Sequence, residues 1–150
     1  MQPNILHRAN DMTPRARWYL GIAGFRHLLV GAFALLMPGS FKSTSFIPIV
    51  EAAPLYWWAT ASLICAVACL GAAATTSEPL ARLGMGWSAV ITMLIGTGLL
   101  LSVFTGQSSS PTGPIIWLAV AFKDFVVCAQ PIRSPFEGLT ERLARKHVSP

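Results

Sequence analysis

IIWLAVAFKDFVVCA, residues 115–129, is an apolar run that carries two adjacent charges, Lys123 and Asp124. A Lys or Asp at the centre of a membrane span costs about 2.5–3.5 kcal/mol on insertion scales. Because this short run holds both, its insertion into a bilayer on its own is expected to be marginal. The segment is therefore predicted to depend on a polar partner elsewhere in the chain.

Three more apolar runs approach the ~20 residues that a helix needs to cross a bilayer. Of the 150 residues, 53% are hydrophobic and only 11% are charged, whereas soluble domains carry roughly 25% charged residues. These values predict an all-α protein, a single integral membrane domain over residues 1–150 that folds as a four-helix transmembrane bundle. The predicted spans are Ala16–Met37, Leu55–Thr75, Leu83–Phe104 and Ile115–Ala129.

The first apolar run follows basic residues, as it would in a secretory signal peptide. Its ~20 residues exceed the roughly 7–15 of a signal peptide, so a retained first span is favoured over a cleaved leader. Trp18 and Tyr19 then mark its inner interface, where amphipathic rings prefer to lie.

Basic residues are concentrated on one side of the predicted spans. Cytoplasmic connections carry the excess of Lys and Arg in membrane proteins, and Lys42 is the only basic residue in the two connections on the other side. Both termini are therefore predicted to be cytoplasmic. A pI near 9.6 could indicate nucleic-acid binding, but four spans leave no soluble basic face, so no nucleic-acid partner is expected. The basic residues on the inner side are Arg8, Arg15, Arg17, Arg82, Arg133, Arg142, Arg145 and Lys146.

SPFEGLTERLARKH, residues 134–147, has the pattern of a short amphipathic helix over about 135–147. Ser134 suits the cap, Pro135 the first helical position and Glu137 completes a capping box. Such a helix can lie on an anionic inner leaflet, with a solvated tail as the alternative. The residues predicted to bind the membrane surface are Arg142, Arg145 and Lys146.

The external segment PGSFKSTSFIPIVEAAP, residues 38–54, is too apolar for an ordinary loop. Its prolines and its length exclude a fifth span. The segment is therefore predicted either to lie along the outer interface or to pack over the four spans.

Small residues recur every four positions along the second and third predicted spans. Such faces let membrane helices approach closely, and the two spans are predicted to pack against each other. A contact between subunits and the lining of a pore remain alternatives. Cys65 and Cys69, one turn apart, could hold a metal or cofactor but are interpreted as packing residues, and no metal or cofactor is predicted. The two stripes are Gly84, Ser88, Thr92 and Gly96, and Ala61, Cys65, Cys69 and Ala73.

The first span holds the other residues that can carry charge deep in a span, Arg26 and His27. Arg26 lies eight residues beyond Trp18, or ~12 Å at 1.5 Å per residue, and Asp124 lies ~13.5 Å before Arg133 by the same rise. With both termini inside, the two groups share one depth. The sequence therefore predicts an Arg26–Asp124 ion pair, to which His27 could add a bond, while Lys123 snorkels towards the inner headgroups.

Two roles are open for these intramembrane charges. Charges within a span are candidate functional sites, yet a proton or ion path more often shows several acidic groups at different depths, and here Asp124 is alone. A structural clamp between the first and fourth spans is therefore favoured over a functional polar site. The chain shows no catalytic triad, phosphate loop or metal-ligand cluster, and it is not predicted to be an enzyme.

GIAGFRHLLVGAFALL, residues 21–36, places an Arg early in the first helix of a four-span outline. Over roughly residues 18–130 this outline resembles the DoxX-type family of small bacterial membrane proteins. The resemblance implies an accessory subunit of a redox or transport complex, in which Arg26 would be the most interesting residue.

IIWLAVAFKDFVVCAQPIRSPFE, residues 115–137, resembles small membrane proteins encoded by phages of actinobacteria, and abundant alanine with more Arg than Lys fits a GC-rich genome. This resemblance implies action in the host cytoplasmic membrane: holin-like lysis, exclusion of other phages, or tail-associated genome entry. The expected partners are the lipid bilayer and either further copies of the chain or another membrane protein. A small proton or ion conductor using Asp124 is a third hypothesis.

Overall fold

The computed structural model describes Met12 and residues 14–129, and this part of the chain is helical without any strand. Four of its α-helices are long and apolar enough to cross a membrane, which confirms the predicted all-helical class and the number of candidate spans. Two 3₁₀ turns, Pro38–Phe41 and Thr44–Phe46, precede the one short α-helix. The α-helices are α1 (Pro14–Leu36), α2 (Ile47–Ala52), α3 (Leu55–Thr75), α4 (Glu78–Phe104) and α5 (Thr112–Ala129).

The observed helix ends agree with hydropathy for α1 and α3, whereas the start of α4 follows local signals. α3 has the predicted bounds, and α1 is displaced by only one or two residues. α4 begins five residues before the apolar run, because Pro79 suits a first helical turn and an acidic residue there complements the helix dipole. Ser77 precedes α4 at the N-cap position, but its side chain makes no capping hydrogen bond.

α1 packs closely on α3 through two glycines that lie on the same face of α1, seven residues apart. A Cβ atom on Gly24 would lie 3.2 Å from the carbonyl oxygen of Ala66, and one on Gly31 would lie 3.0 Å from that of Ala59. The backbones of the two helices therefore meet at positions where any side chain would separate them. This contact, which the small-residue stripes did not indicate, is among the most extensive between helices in the described chain.

α4 contacts α3 with one part of its small-residue stripe and α5 with another. Gly84 faces α3, since a Cβ there would lie 3.0 Å from Cys69 Sγ, whereas Gly96 faces Leu118 of α5 at 2.9 Å. The expectation that the whole stripe packs on the second span therefore differs from the structure at Gly96. A step of four residues turns about 40° around a helix, so positions 84 and 96 point about 120° apart.

The segment between α1 and α3 packs against the long helices, the second of its two predicted arrangements. Ile49 of α2 is buried and lies so close to Gly98 of α4 that a Cβ on this glycine would collide with it. Trp58 Nε1 donates to the carbonyl oxygens of Ile49 and Ala53 at 3.0 and 3.1 Å. α2 is thus fixed to both α3 and α4.

The beginnings of α1 and α4 lie at the same end as the ends of α3 and α5. Arg17 Nε donates to Ala73 O at 3.1 Å, and Cys128 Sγ donates to Arg82 O at 3.5 Å. Only Thr76 and Ser77 separate α3 from α4, with Thr76 in the left-handed region at φ 57°. Long helices that follow one another in the chain therefore run in opposite directions, and α1 and α4 run in the same direction.

The predicted surface helix over 135–147 lies outside the described residues. The same holds for the three residues predicted to bind the inner leaflet and, with them, for five of the eight basic residues from which the orientation was predicted. These five are Arg8, Arg133, Arg142, Arg145 and Lys146.

Candidate functional site

A cluster of polar side chains connects three of the long helices in the interior of the protein. Arg26 and His27 come from α1, Ser88 and Thr92 from α4, and Lys123 and Asp124 from α5; these six residues are called the polar cluster below. His27, Ser88, Thr92 and Asp124 have no exposed surface.

Asp124 is the acceptor at the centre of the cluster. Its Oδ2 accepts from Arg26 Nη2 at 2.6 Å and from Ser88 Oγ at 2.7 Å, while Oδ1 lies 3.1 Å from Lys123 Nζ. The carboxylate therefore faces a cation with each of its oxygens. A buried carboxylate needs such partners, because removing it from water costs several kcal/mol.

Arg26 joins all three helices through one nitrogen. Besides Asp124, its Nη2 approaches Ser88 Oγ at 2.8 Å, Thr92 Oγ1 at 3.1 Å and His27 Nε2 at 3.1 Å. This nitrogen carries only two hydrogens, so the four contacts compete. Because Thr92 Oγ1 donates its own hydrogen to Ser88 O at 2.6 Å, it can serve Arg26 only as an acceptor.

The hydroxyl of Ser88 sets the tautomer of His27. Ser88 Oγ donates its single hydrogen to Asp124, so towards His27 Nε2, at 2.9 Å, it can act only as an acceptor. Nε2 must therefore carry a hydrogen, and it cannot also accept from Arg26. Nδ1 is buried without a hydrogen-bond partner among the described residues, which is consistent with a neutral ring whose bare nitrogen is Nδ1.

Lys123 lies at the edge of the cluster rather than at its centre. Its side chain is 41% exposed, whereas that of Asp124 is fully buried. Nζ also lies 5.4 Å from the ring centroid of Tyr19, close enough for a cation–π contact. Lys123 thus connects the buried carboxylate with the first turns of α1.

Sequence reasoning singled out Ser88 and Thr92 as packing residues and missed them as partners of the charges. Four residues apart, they lie on one face of α4. Ser88 is ten residues from the start of α4 at Glu78, or ~15 Å at the helical rise, a depth similar to those expected for Arg26 and Asp124. Two hydroxyls at the depth of a buried ion pair were the signal that could have identified them.

The second stripe serves packing and backbone contacts. Cys65 Sγ approaches Gly84 O at 3.6 Å, and Cys65, Cys69 and Cys128 are free thiols. Ala61 O accepts from Trp87 Nε1 at 3.3 Å, and Ala73 O accepts from Arg17. Among the described residues, no three His, Cys, Asp or Glu side chains are grouped so that they could hold a metal ion.

No known family, no curated protein and no solved structure matches this chain. The resemblances to the DoxX-type family and to phage membrane proteins therefore stay predictions. The polar cluster combines two cations with one carboxylate and ties α1, α4 and α5 together.

Proposed function

We propose that the chain is a four-helix bundle of the bacterial cytoplasmic membrane, with both termini in the cytoplasm. The distribution of charge between the two ends of the long helices supports this orientation. Arg17 and Arg82 lie at the end where α3 passes into α4, whereas Lys42 lies at the opposite end, between α1 and α2. An excess of Arg and Lys marks the cytoplasmic side.

This orientation predicts which lysine is accessible from outside the cell. On intact cells a membrane-impermeant amine reagent should modify Lys42, which is exposed, and should leave Lys146 unmodified until the membrane is permeabilised. Peptide mass spectrometry of the purified protein reports both sites in one sample, so each lysine is the control for the other. Modification of Lys146 on intact cells would contradict the orientation.

We further propose that the protein is not an enzyme and acts by associating with further copies of itself in the membrane of a host bacterium, as expected of a phage-encoded membrane protein. The peripheral position of α5 supports this role. Of its 18 residues only Pro114, Ala121 and Asp124 are buried, and its main helix contact is with α4. Its free face carries large apolar side chains, including Phe122 and Phe125, which are 70% and 65% exposed.

Such a face can bind either lipid or another copy of the chain. Arg26 and Asp124, by contrast, are turned inward and pair within the polar cluster, while Lys123 lies at its edge with 41% of its side chain exposed. We therefore propose that the protein acts on a membrane through this apolar outer surface rather than through the buried Arg26–Asp124 pair. We propose that assembly of copies along this surface underlies the role, whether it is holin-like lysis, exclusion or genome entry.

Membrane potential during induced expression in a bacterial host tests this role. We expect the wild-type protein to depolarise the cells, and the variants Asp124→Glu and Asp124→Asn to depolarise them equally once their amounts in the membrane fraction are matched. An unchanged potential with inserted wild-type protein would oppose a lytic role and favour the DoxX-like accessory role, in which a partner should copurify.

The same measurement tests a proton path through Asp124, the second candidate function. A continuous chain of contacts favours it: His27 Nε2, Ser88 Oγ, Asp124 and Lys123 Nζ follow one another at 2.9, 2.7 and 3.1 Å. A conductor needs a group that can take up and release a proton, so Asp124→Glu should retain depolarisation and Asp124→Asn should lose it. Equal activity of the two inserted variants would exclude this candidate.

A further inference from the structure

A cavity of about 370 Å³ lies beside α2, away from the polar cluster. Its walls come from α1, the segment before α3, the first turns of α3 and α5, and the second half of α4. Among the described residues that form it are Leu29, Phe33, Phe46, Ile49, Trp58 and Trp117. Of all the described residues that line the cavity, Ser40 alone carries a hydroxyl, and none is charged.

The cavity lies at the depth of a lipid tail. Leu29 is seven residues before the end of α1 at Leu36, or ~10 Å below the helix end at 1.5 Å per residue. The hydrocarbon core of a bilayer is ~30 Å thick, so one leaflet contributes about half of that. The cavity thus extends well into the hydrocarbon of one leaflet, which is the outer leaflet in the proposed orientation; only this assignment to a leaflet rests on the proposed function.

α2, which forms one wall of the cavity, is fixed in place. Ile49 is seated against Gly98, where a side chain would collide with it, and Trp58 holds α2 by donating to the carbonyl oxygens of Ile49 and Ala53. These two bonds also occupy the only hydrogen that the indole can donate. The tryptophan therefore presents its apolar ring to the cavity and leaves little for water to bind.

We propose that this cavity holds a fatty acyl chain of a membrane phospholipid. Apolar cavities hold water poorly and accept apolar ligands, because a buried water needs two to four polar partners. A site that opens at this depth in a bilayer meets acyl chains at high concentration. The lining supplies apolar side chains on every wall, and the exposed Lys42 follows directly after Phe41 of the same wall, a cation suited to a lipid phosphate.

Photolabelling with phosphatidylethanolamine that carries a diazirine on its acyl chain tests the proposal. The full-length protein is reconstituted in vesicles of phosphatidylethanolamine and phosphatidylglycerol with a trace of this probe. Lipid around the protein should label Phe122, which is 70% exposed, whereas Ile49, at 5%, is reached only through the cavity. We expect label at both residues, and a label at Phe122 alone would overturn the proposal.

Filling the cavity should remove the label at Ile49 and leave the label at Phe122. Ala34→Phe fills it from α1, and Val50→Trp fills it from α2, so that one variant remains informative if the other fails to fold. Ala119→Phe adds the same bulk as Ala34→Phe on the exposed side of α5 and should change neither label. Full labelling of Ile49 in both filling variants would also overturn the proposal. Labelling of Ile49 depends on the cavity and not on the orientation, which modification of Lys42 tests separately.

Discussion

Replacing Asp124 by Ala should destabilise the protein by about 3–5 kcal/mol, the usual cost of leaving one member of a buried ion pair uncompensated. Asp124 has no exposed surface and accepts from both Arg26 and Ser88. Its loss would leave the Arg26 guanidinium, only 23% exposed, facing hydroxyls that cannot neutralise it. Unfolding of the purified protein by titration with dodecyl sulfate measures the change.

A second ion pair in the same chain provides the matched control. Arg82 and Glu78 pair at 2.9 Å on the surface of α4, where Arg82 is 53% exposed. Exposed pairs of this kind contribute roughly 0.2–1 kcal/mol, so Arg82→Ala should have a small effect. Equal losses in Arg82→Ala and Asp124→Ala would mean that burial does not account for the contribution of the Arg26–Asp124 pair to stability.

A double variant tests the pairing itself. Removing Arg26 together with Asp124, as Arg26→Leu with Asp124→Ala, should restore much of the stability, because neither charge of the pair then remains uncompensated. The interaction is the difference between the loss in the double variant and the sum of the losses in the single variants. A double variant no more stable than either single variant would refute the ion pair as a clamp.

Gly31→Leu is expected to separate α1 from α3 and to destabilise the protein by about 1–3 kcal/mol, as overpacking does. A Cβ at this position would lie 2.7 Å from Leu63 Cγ and 3.0 Å from Ala59 O. The leucine side chain can turn away, but the carbonyl oxygen belongs to the backbone of α3 and can move only with the helix. The same detergent titration measures the loss.

Gly21→Leu is the control for this substitution. It lies on the same helix, and a Cβ there would meet nothing within 4 Å. In both variants the replacement of glycine by leucine raises helix propensity by the same amount, about 1 kcal/mol. The difference between their stabilities therefore isolates the contact with α3. If Gly21→Leu lost as much stability as Gly31→Leu, close approach of the two backbones would not explain the effect.

The elements could be predicted from the sequence because their signals are local. The hydropathy of residues 55–75 alone predicts α3 with its observed bounds, and the rise per residue puts Arg26 and Asp124 at one depth. The role of Ser88 and Thr92 as partners of the charges could not be predicted in this way. A hydroxyl looks the same in the sequence whether it bonds its own helix or a charge on another one, and only the contact between helices decides.

Which helices contact each other could not be predicted either, because this too depends on contacts between helices and not on local signals. Gly24 and Gly31 are seven residues apart and lack the four-residue step that marks a packing face, yet they make the close contact with α3. Gly84 and Gly96 share a regular stripe but contact different helices. Small residues show where backbones can approach, whereas which backbone does so depends on how the four spans are rotated about their axes.

The separation of Arg26 from Asp124 along the chain has a consequence for how the protein is made. The two residues are 98 positions apart, and ribosomes add about 5–20 residues per second. An interval of about 5–20 s therefore passes between the synthesis of the arginine and that of its counter-ion. During this time the segments that form α1, α3 and α4 are synthesised, among them Ser88, which donates to the carboxylate. The last step of insertion, the entry of α5 with its two charges, thus follows the synthesis of every helix that supplies a partner to those charges.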